Sequence, residues 1–432
     1  MPAGDRLTRR GMLASVGAAG ASALAGCGGI GDLTGSGETT IRSHELPEVD
    51  PDENRQLVAP TVPVAIDGAH LAAARDRTTS LLAELPMPLG PDEIPNGHVR
   101  GRLLGAADDA TDALDEARRA ETDFVALREL RRSRERARYA AGGWRFAAGS
   151  QSLVDLRSAR QDAVAEAREF ESSREYRGSD PVRAALVHAR IEALLRRATD
   201  DDSPHTEADG GGLLTVAEWA EEVETARALL ADARHLGSQF SASLSADAGT
   251  VEAELRRAAE TLLADVRSRR DDLPPEPTAD DWGARERIVH ELRSDADYGA
   301  KRVADAAGPA SAALDATGRL AAFAALDGVL ERIESGEQFA VESAADVRRY
   351  RQTAVDALTS ALTGSPEPGL TRTVLTDAAG HVWSADWELS RLSGEVRPAR
   401  LTDPVSSYVV AAALARAAPK ASERAAEALT SA

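Results

Sequence analysis

Residues 213–240 read LLTVAEWAEEVETARALLADARHLGSQF, and the apolar side chains in this stretch recur at the spacing of an α-helix. The positions that keep this period are Leu213, Val216, Ala220, Val223, Leu230, Ala233 and Phe240. Steps of three and four residues place these side chains on one face of a helix and leave charged residues on the other. The stretch therefore predicts a long amphipathic helix with one buried face.

The same period recurs on both sides of that stretch. It runs through residues 103–117, 153–170, 251–266, 314–333 and 347–362. Runs of alternating apolar and polar residues, which would indicate strands, are hard to find. Aromatic residues make up only 4% of the chain and alanine is abundant, which suits closely packed helices better than a wide pocket lined by rings. We therefore expect an all-α protein, either an irregular, elongated helical bundle or a coiled-coil-like stack.

Proline marks the strongest break in the helical pattern, at Leu273-Pro274-Pro275-Glu276-Pro277. Three prolines in four positions are incompatible with a continuous helix. The break predicts one helical domain over residues 64–272, followed over 282–432 by a second helical domain or a continuation of the same bundle. Residues 27–63 combine glycine, proline and acidic residues without an apolar period, so they predict a disordered tether.

The N-terminal residues have the pattern of an export signal followed by a lipid attachment site. Arg9 and Arg10 precede an apolar run over residues 12–26, which is too short to span a bilayer as a helix. This run ends in Leu24-Ala25-Gly26-Cys27, the order of a lipoprotein cleavage box. We predict a twin-arginine signal peptide over residues 1–26, cleavage before Cys27 and lipid attachment to its thiol. Because Cys27 is the only cysteine, the chain can form no internal disulfide.

The charge of the chain restricts its partners. The formal net charge is −20, which disfavours binding to nucleic acid. Only Lys301 and Lys420 are lysines among 51 basic residues, so the surface is acidic and biased toward arginine. Concentrated salt screens the repulsion between such acidic groups, and we expect the fold to depend on it.

Together, the first 27 residues and this composition resemble the twin-arginine lipoproteins that haloarchaea place on the outer face of the cell membrane. The resemblance covers the signal and the composition, and it implies a membrane-anchored protein that is exported after folding. In that group the twin-arginine route resembles a general export path for folded proteins, so the resemblance is not a sign that a cofactor is inserted before export.

One segment of the chain is positively charged, although the protein as a whole is negative. Residues 128–138 contain six arginines and two glutamates, and Arg131, Arg132 and Arg134 lie at its centre. Guanidinium groups bind oxyanions through paired hydrogen bonds, so this segment predicts binding of phosphate, anionic lipid headgroups or an acidic partner. The alternative is that these arginines pair with acidic faces of neighbouring helices, such as the face that carries Glu166.

Two further residue pairs have the four-residue spacing that brings side chains together on a helix. Trp383 and Trp387 could stack a sugar or a cation, or pack where their helix contacts its neighbours. His188 and Glu192 could share a metal ion, although a zinc site needs about three protein ligands and no second histidine lies at helical spacing. We therefore predict no metal centre and expect His188 and Glu192 to be an ordinary pair on the surface of a helix.

The sequence lacks glycine-rich phosphate loops, nucleophile elbows and paired metal-binding histidines. This favours a non-enzymatic, cofactor-free protein on the outer face of the membrane, anchored by the lipid on Cys27. We expect a helical interaction or scaffold module that contacts another envelope protein. The alternative is a ligand-binding lipoprotein that delivers a metal or small solute to a membrane transporter.

Overall fold

Twelve α-helices make up most of the residues that the computed structural model describes, which are 40–49, 57–200, 212–278 and 282–431. Within these ranges the only sheet is one antiparallel pair of two-residue strands. The predicted all-α class is thus confirmed. The helices are α1 (Gly68–Leu82), α2 (Gly97–Arg119), α3 (Asp123–Ala147), α4 (Leu153–Ser173), α5 (Pro181–Thr199), α6 (Leu213–Ala242), α7 (Glu252–Asp271), α8 (Ala284–Ala304), α9 (Pro309–Glu334), α10 (Ala344–Gly364), α11 (Pro368–Ser390) and α12 (Thr402–Thr430).

The first six helices form one packed group around α3 and α6. These two helices pack on each other, α1 and α2 cover α3, and α4 and α5 cover α6. Gly142 of α3 allows the central contact, because a Cβ there would overlap the Cβ of Ala220 in α6. The stretch of sequence that predicts the longest amphipathic helix therefore supplies the central helix of this group.

The last six helices form a second group around α12 and α9. Helix α12 packs against each of α7 to α11, and α9 packs against α7, α8 and α12. Most residues in the first half of α12 are buried, among them Val405, Tyr408 and Leu414. A helix that is apolar around most of its circumference is expected at the centre of a bundle.

Helix α5 joins the two groups, because it packs on α6 in the first group and on α9 in the second. One contiguous set of buried side chains extends from Leu127 of α3 through Leu195 of α5 to Leu429 of α12. At this junction the carboxylate of Glu192 accepts hydrogen bonds from the backbone N–H groups of Ala310 and Ser311 in the first turn of α9. The two groups therefore share a core.

The segment before α1 is packed against the helices where the structure describes it. Strand β1 (Ile41–Arg42) pairs with β2 (Glu395–Val396), which lies between α11 and α12. The side chains of Ile41, Leu46 and Val58 are buried in the shared core. The predicted tether over residues 27–63 is thus wrong for residues 40–49 and 57–63, because their few apolar side chains find partners on the helical body.

No helix in the described ranges combines the length and the apolar character needed to cross a membrane.

Candidate functional site

A cavity of about 1020 Å³ lies where the first group of helices meets the second. Helices α3 and α5 supply one side, and α8, α9 and α11 supply the other. Small and apolar side chains such as Ala189, Leu194, Leu314 and Val374 also line it. The cavity is open to solvent, because several of its lining residues, such as Arg197 and Arg302, are exposed.

The walls of this cavity are rich in basic side chains, in a protein whose net charge is −20. The basic residues are Arg128 and Arg131 of α3, Arg190, Arg196 and Arg197 of α5, Lys301 and Arg302 of α8, and Arg319 of α9. The acidic residues are Asp200, Asp305, Asp315 and Asp377. The cavity therefore concentrates positive charge within an acidic molecule.

The sequence of α5 explains why its arginines reach the cavity. Ile191 and Leu195 lie on the buried face of the helix. Arg190 and Arg197 are seven positions apart, roughly two helical turns, and both line the cavity. The start of the helix is fixed by Asp180, whose carboxylate accepts two hydrogen bonds from first-turn N–H groups, at 2.9 and 3.3 Å.

Some of the basic side chains are engaged by the protein itself. The Arg131 guanidinium lies 2.8 Å from the Asp232 carboxylate of α6. Arg319 donates to the backbone carbonyl of Asp295 at 2.9 Å, and Arg196 donates to that of Asp305 at 3.0 Å. These contacts fix three of the cations in the cavity wall.

Four other arginines of the cavity have no such partner. The side chains of Arg128, Arg190, Arg197 and Arg302 form no hydrogen bond or ion pair with the residues that the structure describes. The Arg190 guanidinium instead lies 5.3 Å from the centre of the Phe124 ring. These groups therefore have hydrogen-bond donors available to a ligand in the cavity.

The positive groups on α3 and α5 are close enough to affect one another. Burial lowers the pKa of Arg128, and the charges of Arg131 and Arg197 lower it further, against the opposing effect of Glu129. Burial also lowers the pKa of Arg190, to which the charge of Arg128 contributes. A bound anion would relieve this repulsion, because opposite charge favours the protonated guanidinium.

On the other side of the cavity, the pKa values of two acidic residues are raised. Burial raises the pKa of Asp315 in α9 and of Asp377 in α11, while Arg302 and Arg319 oppose the change. Neither carboxylate forms an ion pair within 4.0 Å in the described part of the chain. The cavity thus has carboxylates with free acceptor oxygens facing a set of free guanidinium donors.

The arginine segment of α3 divides between the cavity and the acidic faces of its neighbours. Arg132 pairs with Glu116 of α2 at 3.2 Å, and Arg134 pairs with Glu224 of α6 at 2.8 Å. Arg131 lines the cavity but is held by Asp232. The alternative of pairing with neighbouring helices therefore describes all three predicted arginines, with partners on α2 and α6.

The residues that sequence reasoning missed are the cavity arginines outside that segment. Arg190 and Arg197 lie on α5, and Arg302 lies at the end of α8. The seven-residue spacing of the α5 pair, which places both side chains on one face of the helix, is a signal that could have identified them. Their convergence with α3 and α8 depends on long-range packing.

The predicted tryptophan pair lies on α11, away from the cavity. Trp383 is half-buried, and the Trp387 side chain is 42% exposed. The guanidinium of Arg391 lies 4.4 Å from the centre of a ring of Trp387. The side chain of the residue that follows α11 thus already occupies the cation position on this indole.

The predicted surface position of His188 and Glu192 is wrong, because both are buried at the junction of α5 with α9, with 3% and 1% exposure. His188 Nε2 donates to the carbonyl of Arg177 at 2.9 Å. Glu192 accepts from the Tyr176 hydroxyl at 2.9 Å in addition to the N–H groups of α9. Within the described residues no group of three or more histidine, cysteine, aspartate or glutamate side chains could hold a metal.

The predicted export and lipid-attachment residues lie outside the described residues. They are Arg9, Arg10, Leu24, Ala25, Gly26 and Cys27.

Comparison with protein families divides the chain between the two groups of helices. Residues 69–247 match a family described as a domain of unknown function, DUF8262. Residues 252–427 match a second domain of unknown function, DUF8264. The two matches meet between α6 and α7, one helix before the proline-rich segment at 273–277. No curated protein and no solved structure matches the chain.

Proposed function

We propose that this protein is an exported, lipid-anchored binding protein that holds an anionic ligand in the cavity between its two groups of helices. The observation that carries the proposal is the set of arginines on α3 and α5 that face the cavity without a partner among the described residues. Guanidinium groups offer paired donors that match the oxygens of phosphate and carboxylate.

The charge of the rest of the molecule strengthens this proposal. An acidic protein gains nothing for solubility from a cluster of like positive charges, and the cluster disfavours the folded state through repulsion. Acidic residues are abundant enough to pair with every basic one, since the chain has 71 against 51. Unpaired arginines that nevertheless face a cavity are consistent with selection for an anion.

The proposal favours the ligand-binding alternative over a purely structural scaffold, and it narrows the expected ligand from a metal or small solute to an anion. The cationic cavity supports this change, since it would repel a metal ion. Placement on the outer face of the membrane, with transfer to a transporter or another envelope protein, is part of the proposal and follows from the signal pattern around Cys27.

Titration calorimetry in molar potassium chloride tests the binding proposal, with inorganic phosphate as the probe. We expect saturable binding, and Arg197→Gln and Arg190→Gln should each weaken it about tenfold, because a charge-assisted hydrogen bond contributes roughly 1.5–3 kcal/mol. The control is Arg256→Gln, which removes an exposed arginine paired with Glu252 on α7. Absence of binding by the unmodified protein, or equal losses in the control, would reject the proposal.

The anchor is tested separately by Cys27→Ser. The variant should appear in the medium or accumulate as uncut precursor, because serine offers no thiol for the lipid. The measurement is membrane fractionation with intact-mass analysis. A variant that stays lipidated on the membrane contradicts the anchor.

A further inference from the structure

Resting on the proposed anion site, we infer that the ligand is a hydroxylated phosphate ester, with its phosphate against the arginines of α3 and α5 and its hydroxyl groups against Asp315 and Asp377. The inference follows from the different side chains on the two sides of the cavity, with unpaired arginines on α3 and α5 and aspartates on α9 and α11.

The α3–α5 side is suited to the anionic part of the ligand. Arg128, Arg190 and Arg197 converge there, and their side chains have no partner among the described residues. Asp200, at the end of α5, is the acidic residue on this side of the lining. A phosphate group with several terminal oxygens can accept from more than one guanidinium at once.

The opposite side is suited to hydroxyl groups. Ionised carboxylates are pure acceptors, so Asp315 and Asp377 can each take hydrogen bonds from ligand hydroxyls. This side has as many acidic as basic lining residues, so it offers no net attraction to a second anionic group, which argues against pyrophosphate and polycarboxylates. Arg302 and Arg319 lie close enough to affect both carboxylates and can donate to hydroxyl oxygens.

The size and rim of the cavity argue against a bare inorganic ion. The cavity of about 1020 Å³ is far larger than one phosphate ion. Tyr298 on α8 lines it with its side chain 73% exposed. A large ring in that position can cover the apolar C–H face of a sugar while its hydroxyl stays in water. Together these features fit a ligand with one charged end and an uncharged, hydroxyl-rich body.

The test compares glucose 6-phosphate with methyl phosphate, which carries a phosphate monoester without hydroxyl groups. We expect calorimetry in molar potassium chloride to give at least about tenfold tighter binding of glucose 6-phosphate. Asp377→Asn and Asp315→Asn should each remove most of that preference. The same variants should leave methyl phosphate binding unchanged or stronger, because they remove negative charge from the cavity. Near-ultraviolet circular dichroism would establish that both variants keep their packing.

Equal affinity for the two esters, or parallel losses of both in the aspartate variants, would overturn this inference while leaving the anion site intact. Failure of both esters and of phosphatidylglycerol vesicles to bind would instead overturn the anion site itself. Vesicles of phosphatidylglycerol distinguish the source of the hydroxylated phosphate. Binding of these vesicles that is lost in Arg197→Gln, without binding of free glucose 6-phosphate, would support the ester chemistry and assign it to a lipid headgroup.

Discussion

Glu192 links the two groups of helices through hydrogen bonds to the start of α9. Its carboxylate is buried, accepts from Ser311 N–H at 2.6 Å, from Ala310 N–H at 3.3 Å and from the Tyr176 hydroxyl at 2.9 Å. The N-terminus of a helix has unpaired N–H groups and the positive end of the helix dipole. An acidic side chain there accepts hydrogen bonds from the N–H groups, and its negative charge is stabilised by the dipole. Here that side chain comes from a different helix.

Glu192→Ala should lower the free energy of unfolding by about 3 kcal/mol, because it leaves buried donors of α9 unpaired and Arg174 without its nearby carboxylate. Glu192→Gln should cost less, since one oxygen can still accept. Denaturant titration in molar salt measures both variants. Glu252→Ala is the control, since its pair with Arg256 is exposed and should contribute less than about 1 kcal/mol. A loss for Glu192→Ala as small as that of the control would contradict the linking role.

His188 makes the stability of the fold dependent on pH. Burial lowers its pKa to about 4, against the hydrogen bond to the Arg177 carbonyl. In the unfolded chain its pKa is near 6.5, so the unfolded state binds the proton more tightly. The contribution of neutral His188 is therefore complete above about pH 6.5 and is lost as pH falls toward 4, by about 3 kcal/mol.

The variant His188→Gln isolates this contribution, because glutamine can keep a donor for the Arg177 carbonyl and an acceptor for Arg174. We expect the unfolding free energy of the unmodified protein to fall more steeply than that of the variant between pH 6.5 and 4. Denaturation curves at several pH values provide the comparison. Parallel curves over this range would mean that His188 does not titrate on unfolding.

The sequence shows which residues lie side by side on one helix, but not whether their face of the helix is buried or which other helices it contacts. The four-residue spacing of His188 and Glu192 correctly places them on one face of α5. That this face is interior depends on α9 and on residues 174–177, which approach from elsewhere in the chain. The same limit applies to Arg132 and Arg134, whose acidic partners lie on α2 and α6.

The contact between α3 and α6 depends on glycine at two consecutive positions. A Cβ at Gly142 would overlap Ala220 of α6, and one at Gly143 would lie 2.9 Å from a methyl carbon of Leu213 in α6 and 2.6 Å from one of Leu103 in α2. Closely packed cores tolerate little added volume. These glycines therefore set the distance between the central helices of the first group.

Gly142→Ala should destabilise the protein by about 1–3 kcal/mol, because α3 and α6 must move apart. The matched control is Gly105→Ala on α2, where a Cβ would meet no atom within 4 Å. That change should stabilise the helix by up to about 1 kcal/mol, since alanine favours the helical state. Thermal unfolding of both variants measures the difference in stability. Equal shifts in Tm would exclude the explanation that the close contact between α3 and α6 requires glycine at position 142.

Elements with a long apolar period could be predicted from sequence, and very short ones could not. The period over 213–240 corresponds to α6, and those over 103–117 and 153–170 lie within α2 and α4. Strands β1 and β2 have two residues each, which is too few to show alternation. Their pairing joins residues more than 350 positions apart, so the ordered part of the expected tether was missed.

The whole molecule is strongly acidic, and many of its arginines are held in ion pairs between helices. Arg145 pairs with Glu84 to join α3 to the end of α1, and Arg424 pairs with Asp265 at 2.8 Å to join α12 to α7. The remaining excess of negative charge repels itself and opposes the compact state. At 1 M salt the Debye length is about 3 Å, so most of this repulsion is screened.

Thermal unfolding should therefore depend on ionic strength. We expect Tm to rise by about 5 °C or more between dilute buffer and molar potassium chloride. Circular dichroism at 222 nm in a series of salt concentrations is the measurement. Equal concentrations of sucrose at constant ionic strength control for general cosolvent effects. An unchanged Tm would show that net repulsion contributes little to the stability of this fold.

The pairing of β1 with β2 also determines where a mechanical load enters the protein. The chain that runs from Ile41 back toward Cys27 meets the body at residues 395–396, and Arg348 of α10 binds the carbonyl of Glu45 just beyond. Tension on the proposed lipid anchor would thus be borne by the second group of helices. Helix α3 belongs to the other group, so this load would reach its arginines only through the shared core.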